Sequence, residues 1–209
     1  MNIIKEISWQ LLLQGFGFTI WISAWAGILG IALGFGLYLL CHTGKWIGCL
    51  VPSLFVRLVK GTPIPILFML LLYILLEDEK FPVMMVTIAV FSIYFAADVI
   101  MLLQEGLAAM GRGQEEAAMA LGYTRQKTFF KILLPQIVEQ VLPALKQEYI
   151  SLIRLISVAG VVVGQDLTKL ADKIRSHASE AIYPFLAVLV IYYLASWMMT
   201  FLFSFKKSA

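Results

Sequence analysis

The chain has 209 residues, of which 61% are hydrophobic and 14% are charged, and its formal net charge is +3. A soluble domain is about half apolar and about a quarter charged, so this composition excludes an ordinary water-soluble protein. No basic stripe with interleaved aromatic residues lies outside the apolar runs, which argues against nucleic-acid binding. The solvent for most of this chain is therefore lipid.

Five apolar runs approach or exceed the length of about 20 residues that an α-helix needs to cross a bilayer. They cover roughly residues 9–41, 62–76, 81–103, 137–163 and 183–205. Because the runs are continuously apolar, they favour helices over barrel strands, in which lipid-facing and lumen-facing residues alternate. We predict an all-α integral membrane protein with about five transmembrane helices, in which residues 1–209 form a single transmembrane domain.

The first run is too long for the hydrophobic region of a signal peptide and is expected to remain in the mature protein as a span. Ala26, Gly30 and Gly34 follow one another at four-residue intervals, a small-residue stripe that allows another helix to approach closely. Cys41 and Cys49 lie near the end of this run. We expect them to be unbonded structural thiols, because the orientation derived next places them in a reducing compartment.

Orientation follows from Lys and Arg in the short connections, because these residues resist translocation. The connections on one side, together with the C-terminus, carry the larger share of them, which predicts an external N-terminus and a cytoplasmic C-terminus. Residues 165–180 contain three basic residues on the predicted outer side, where acidic residues accompany them, and their apolar spacing predicts an interfacial helix. Its charged face is either solvated or meets a delivery protein.

Residues 52–62 alternate apolar patches with Arg57 and Lys60, a pattern typical of a helix at the cytoplasmic interface. Thr62 and Pro63 are suited to the N-cap and first helical position of the second span, which we extend to about Lys80.

The only long polar stretch, residues 104–135, is predicted to form two short helices at an angle on the cytoplasmic face. The first covers Gln114 to Leu121, and Gly122 ends it by adopting a left-handed conformation. The second begins at Thr124 and is ended by Pro135, which cannot continue a helix.

Several residues of this stretch stand at a characteristic spacing. They are Glu116, Ala117, Ala118, Gly122, Phe129, Ile132, Leu134 and Pro135. This pattern resembles the coupling loop of ABC importer permeases. Outside that loop, Lys60-Gly61-Thr62-Pro63 is similar to an element of one group of these permeases, the polar amino acid uptake family. Gln147-Glu148-Tyr149-Ile150 is similar to a further element. The chain departs from the family pattern around residues 94–106, within the predicted third span.

The resemblance implies a type I importer fold, a coupling loop at residues 106–135 and a location in the bacterial cytoplasmic (inner) membrane. It implies that ATPase coupling depends on Glu116, Ala117, Ala118, Leu121, Gly122, Phe129 and Pro135. The implied partners are ABC ATPase subunits, a second permease in a homodimer or heterodimer, an extracytoplasmic amino-acid-binding protein and membrane lipid. No P-loop motif is present, so the chain itself is expected to be neither an enzyme nor a cofactor protein, and Mg²⁺–ATP belongs to the ATPase.

Asp98 and Arg154 are charged residues within predicted spans, where charges normally face protein or a water-filled cavity. Gln147, Ser151 and Arg154 lie within about 60° on one helix face, flanked by Glu148 and Ser157, and form a candidate substrate pathway. Arg154 either binds the carboxylate of a substrate or forms an ion pair with Asp98 or Glu148. Asp98 alternatively binds a cationic ligand.

Two other functions remain open on the sequence. One is an ABC permease for another small solute, such as methionine or an anion. The other is an ion-coupled secondary amino acid carrier, which would predict internal repeats with broken helices at mid-membrane. The sequence does not name the amino acid.

Overall fold

The computed structural model describes residues 2–41, 46–76, 82–111, 113–157 and 183–204. The regular elements in these ranges are helices. In chain order they are α1 (Asn2–Leu40), α2 (Trp46–Gly61), α3 (Ile64–Leu76), α4 (Val83–Ala109), α5 (Gly113–Ala120), α6 (Arg125–Thr128), a π-helical turn (Phe129–Leu133), α7 (Leu134–Leu155) and α8 (Tyr183–Ser204). The all-helical class is confirmed.

Three helical stretches in the described ranges are long and apolar enough to cross a membrane, namely Leu12–Leu40, Val83–Ala109 and Arg125–Leu155. Gly48–Gly61 and Ile64–Ile74 meet the same criterion only as a sharply bent pair, and Leu186–Phe201 is a shorter apolar helix. The helix count agrees roughly with the five predicted spans. The predicted interfacial helix at residues 165–180 lies outside the described residues.

The break between α2 and α3 is made by Thr62 and Pro63. Proline lacks an N–H group and disfavours helical geometry in the residue before it. The hydroxyl of Thr62 donates to the Leu58 carbonyl at 2.9 Å, so it satisfies the C-terminal end of α2. The predictions that Thr62 is the N-cap and Pro63 the first residue of the following helix are wrong, because α3 begins one residue later, at Ile64.

The described residues fall into two compact units. The first lies within Met1–Gly27, Ile64–Phe91 and Tyr149–Ala209, and the second lies within Ile28–Pro63 and Ser92–Glu148. Helices α1, α4 and α7 each contribute residues to both units.

The first unit has an apolar core in which α1 meets α8. Leu12 and Val188 are buried there, with Phe16 and Ile191 packed against them. A second contact joins α3 to α4 through the rings of Phe68 and Phe91, whose centroids are 6.0 Å apart. Buried hydroxyls on α1 donate to carbonyls of their own helix, as Thr19 does to Gly15 at 3.0 Å, so burial leaves these groups satisfied.

In the second unit, α1 packs closely on α4 at the glycines of the predicted stripe. A Cβ atom added at Gly30 would lie 2.9 Å from the Phe95 side chain, and one added at Gly34 would lie 2.6 Å from the Ala96 carbonyl oxygen. The prediction that this stripe admits a neighbouring helix is confirmed. The reason is steric, since only a residue without a side chain leaves room for the α4 backbone.

Replacing Gly34 by Ala is expected to destabilise the protein by about 1–3 kcal/mol, the usual effect of overpacking a close contact. The matched control is Gly36→Ala, because a Cβ at Gly36 meets nothing within 4 Å. This control gains the higher helix propensity of alanine without a clash. Thermal unfolding in detergent measures both, and equal midpoints for the two variants would contradict the packing argument.

The two cysteines are also in the second unit. Cys41 follows α1, Cys49 lies in α2, and the structure joins them as a disulfide with Cα atoms 4.1 Å apart. The prediction of unbonded thiols is wrong, because the end of α1 and the first half of α2 lie next to each other at these two residues.

Candidate functional site

Helix α5 ends in a glycine corner. Gly122 has φ +84°, its N–H donates to the Met119 carbonyl at 2.9 Å, and the N–H of Tyr123 donates to the Ala118 carbonyl at 3.1 Å. These paired bonds close the end of the helix, and glycine adopts the left-handed conformation without a steric penalty. The predicted helix end at Gly122 is confirmed.

The second short helix begins at Thr124, as predicted. The Thr124 hydroxyl accepts a hydrogen bond from the Lys127 N–H at 3.4 Å, which caps α6. The prediction that Pro135 ends this helix is wrong, since α6 continues through the π-helical turn into α7. In that turn the Leu134 N–H donates to the Phe129 carbonyl. The wider turn just before Pro135 accommodates a ring that would otherwise clash with the preceding turn.

Two side-chain contacts hold the short helices in position. Arg125 Nε donates to Glu115 Oε1 at 2.9 Å across the glycine corner. Gln114 Nε2 donates to Gln136 Oε1 at 3.2 Å, which joins α5 to α7. Glu115 and Arg125 were not singled out from the sequence, and the neighbouring Glu116, which is exposed, was named instead. The opposite charges of Glu115 and Arg125, on either side of the predicted corner at Gly122, were the sequence feature that could have predicted this ion pair.

The inner side of this segment is apolar. Ala118 and Phe129 are 3% and 4% exposed, and the Phe129 ring centroid lies 6.1 Å from that of Tyr38 on α1. These two predicted coupling residues therefore pack inside the second unit and support the outer surface from beneath.

The outer side of this polar segment carries several exposed apolar side chains. We define the coupling surface as Glu116, Ala117, Met119, Leu121 and Tyr123, all of which are exposed. Leu121 is 80% exposed at the tip. Pro135 is exposed farther along the chain, at the start of α7. Apolar side chains grouped in this way on a polar segment indicate a protein-binding surface.

Replacing Gly122 by Ala is expected to destabilise the corner by about 1–2 kcal/mol, since an L-residue is strained in the left-handed region. Gly113→Ala is the control, because Gly113 has neither a positive φ nor a neighbour within 4 Å of an added Cβ. Amide hydrogen exchange at residues 118–124 should accelerate about fivefold or more only in Gly122→Ala. Unchanged exchange would contradict the role of this corner.

Asp98 forms an ion pair with Lys60 in the second unit. Lys60 Nζ lies 2.7 Å from Asp98 Oδ1 and 3.3 Å from the centroid of the Tyr94 ring. The hypothesis that Asp98 pairs with Arg154 is therefore wrong. The reason is that Lys60, which the sequence placed on an interfacial helix, reaches α4 from the end of α2.

Arg154 lies in the last turn of α7 and is exposed. Its Nη2 donates to the Ser151 hydroxyl at 3.2 Å, and the Ser157 hydroxyl donates to the Arg154 carbonyl at 2.7 Å. Gln147 and Glu148 lie earlier in α7, where Gln147 is exposed and Glu148 is half-buried. The pathway role of these residues stays a prediction. No group of three or more potential metal ligands occurs among the described residues.

Comparison with known proteins identifies the family. Residues 30–205 match the family described as binding-protein-dependent transport system inner membrane component. The chain belongs to this family. The family description places it in the inner membrane as a component of a binding-protein-dependent transport system.

Individual relatives cover most of the chain. The glutamine transport system permease protein GlnP of Escherichia coli (strain K12) is 28% identical over 202 residues, which are 92% of this chain and 89% of GlnP. The L-cystine transport system permease protein TcyB of Bacillus subtilis (strain 168) is 27% identical over 218 residues, covering 97% and 86% of the two chains.

Solved structures share the fold. The crystal structure of an amino acid ABC transporter with histidines superposes with a TM-score of 0.89 at 25% identity, over 98% of this chain and 95% of that chain. An inward-facing structure of the methionine ABC transporter MetNI gives a TM-score of 0.75 at 19% identity over 92% of both chains, a likeness of fold alone.

Proposed function

We propose that this chain is the permease subunit of an ATP-driven importer for polar amino acids. The observation that carries the proposal is the exposed coupling surface, which lies beside the glycine corner and the Glu115–Arg125 ion pair. The family membership supports a transport role, and the relatives named for glutamine and cystine support the substrate class. A separate ABC ATPase binds Mg²⁺–ATP and docks on the coupling surface.

Force is transmitted through helical continuity. Arg125–Leu155 forms one long helical stretch, so a displacement of the short helices by the ATPase passes directly into α7. A second permease, identical or similar, completes the translocation path, and an extracytoplasmic binding protein delivers the solute. Glu116, Ala117 and Leu121 contact the ATPase, whereas Ala118, Gly122, Phe129 and Pro135 shape the segment.

The proposed substrate contact is Arg154. Among the described residues, the Arg154 guanidinium is bonded to a neutral hydroxyl, that of Ser151, and we propose that its positive charge binds a substrate carboxylate. A guanidinium group binds a carboxylate through two parallel hydrogen bonds. Gln147, Glu148 and Ser151 provide polar groups along α7, and Ser157 provides one just beyond its end. Asp98 acts through its pair with Lys60 rather than on substrate.

Replacing Arg154 by Met is expected to raise the apparent KM for transport about tenfold or more, because a charged hydrogen bond contributes about 1.5–3 kcal/mol. Arg57→Met is the control, since Arg57 is also exposed but lies on α2, outside the candidate pathway. Uptake of labelled amino acid in proteoliposomes measures both. An unchanged KM for Arg154→Met would remove Arg154 from the substrate site.

The proposed function is tested by uptake in proteoliposomes that contain the permease with and without its ATPase. Accumulation of glutamine or cystine should require the ATPase, internal ATP and the binding protein. Uptake driven by an ion gradient without ATP would instead support a secondary carrier. ATP-dependent uptake of methionine or an anion, with no uptake of glutamine or cystine, would assign the permease to another solute.

A further inference from the structure

Two cysteines meet beside the segment that carries the coupling surface. Cys41 is anchored at the end of α1, where its N–H donates to the Tyr38 carbonyl at 3.1 Å. Cys49 lies on α2, with its Cα atom 4.1 Å from that of Cys41. Cys49 is exposed and Cys41 is half-buried, so a dissolved reagent can reach the pair. These are the two cysteines of the chain.

A cavity of about 430 Å³ connects the pair to the short helices. Its walls include both cysteines together with Glu115, Arg125 and Phe129. Glu115 and Arg125 form the ion pair that holds α5 against α6, and Phe129 packs beneath the coupling surface. The cysteine pair and the contacts that position the coupling surface therefore line one cavity of the second unit.

The position of this cavity determines the chemistry that is expected there. If the coupling surface docks on a cytoplasmic ATPase, which is the proposed function on which this inference rests, the cysteines face the cytoplasm. Disulfides there are rarely permanent, and those that form are mostly transient, catalytic or redox-sensing. A pair that is close enough to bond, accessible and in this compartment is suited to reversible oxidation.

We propose that Cys41 and Cys49 form a reversible thiol–disulfide site that regulates ATPase coupling. The oxidant is a low-molecular-weight disulfide, RSSR. The more exposed Cys49 thiolate attacks one sulfur of RSSR, forming a mixed disulfide and releasing one RS⁻. The Cys41 thiolate then attacks the Cys49 sulfur, which forms the protein disulfide and releases the second RS⁻. The protein loses two electrons, RSSR gains them, and the two thiol protons end on two RSH molecules.

Oxidation ties the end of α1 to α2 across one wall of the cavity. Glu115 and Arg125, which also line the cavity, belong to the segment that moves with the ATPase under the proposed function. A covalent link makes the cavity harder to deform, so the oxidised protein transmits the movement less effectively. Reduction frees the start of α2 and restores full coupling.

The test uses the assembled transporter with cysteine-free variants of the ATPase, the binding protein and any second, non-identical permease, so that every thiol belongs to this chain. One sample is reduced with dithiothreitol, and another is oxidised with glutathione disulfide. Free thiols are counted by the gel shift caused by maleimide-polyethylene glycol, and ATP-dependent uptake is measured in parallel. The oxidised permease should show no shift and transport about fivefold more slowly, at the lower end of common allosteric effects. Dithiothreitol should restore both readouts.

The control is the Cys41→Ser/Cys49→Ser double variant. Under both treatments it should transport as fast as the dithiothreitol-treated wild type. Cysteines that remain labelled after excess glutathione disulfide would overturn the thiol chemistry. Equal uptake by the oxidised and reduced wild-type complexes would overturn the regulatory effect. Absence of ATP-dependent uptake in the reduced complex would instead contradict the proposed function, while the labelling experiment, which needs only the folded permease, would still decide the cysteine chemistry.

Discussion

Replacing Leu121 by Glu is expected to reduce ATP-dependent transport about thirtyfold or more. Leu121 is 80% exposed at the tip of the coupling surface and so contributes little to the fold of the isolated permease. On docking, an apolar tip enters a partner's pocket, and residues in such positions typically contribute about 2 kcal/mol or more to binding. A carboxylate there must also lose its hydration without a partner. A loss of about 2 kcal/mol corresponds to about a thirtyfold change in affinity.

The matched control for Leu121→Glu is Gln140→Glu, which adds the same charge at an exposed position of α7 away from the coupling surface. Co-purification of the ATPase with each permease variant, followed by stimulated ATP hydrolysis, separates loss of docking from loss of folding. The thermal midpoint of the isolated Leu121→Glu permease should match that of the wild type. Normal co-purification and hydrolysis with Leu121→Glu would remove this surface from the coupling mechanism.

Replacing Asp98 by Leu is expected to destabilise the permease by about 3–5 kcal/mol, the usual effect of removing one partner of a buried ion pair. The side chains of Lys60 and Asp98 are only 21% and 16% exposed. Without the carboxylate, the Lys60 ammonium keeps its contact with the Tyr94 ring but loses its counterion. The result should be a low yield of folded protein in detergent and a strongly lowered thermal midpoint.

The double variant Lys60→Met/Asp98→Leu should recover most of that stability, because it removes both charges and leaves apolar side chains of similar volume. Glu105→Leu is the control for a carboxylate elsewhere on α4, since Glu105 is exposed. If the double variant is as unstable as Asp98→Leu alone, the loss does not arise from an unpaired Lys60. If Asp98→Leu retains the wild-type midpoint, the ion pair does not stabilise the fold.

Local features of this chain were predictable because their causes are local. Apolar runs of sufficient length require helices in lipid, whatever the rest of the chain does. Gly122 ends α5 because the left-handed conformation depends mainly on the residue that adopts it. The close helix contact at Gly30 and Gly34 was predictable for a similar reason, since their four-residue interval places both residues on one face of α1. The resemblance of the coupling loop likewise rested on spacing within a short segment.

Contacts between distant residues required the tertiary structure. Asp98 was assigned to Arg154 or a ligand, yet Lys60 approaches it from the end of α2. Glu115, rather than Glu116, bonds Arg125, because the angle at the glycine corner decides which carboxylate faces the next helix. Pro135 was expected to end a helix, but a π-helical turn upstream accommodates its ring.

Composition and helix periodicity thus determined the membrane-embedded helical class, and glycine placement determined the end of α5, while the coupling role of this segment stays a prediction from the resemblance. The partners of Asp98, Glu115 and Cys41 were decided by the packing of α1, α2, α4 and α5. The physical reason is the sequence distance over which each interaction acts. Backbone preference and lipid solvation act on each segment separately, whereas ion pairs and disulfides depend on which side chains packing brings within a few ångströms of each other.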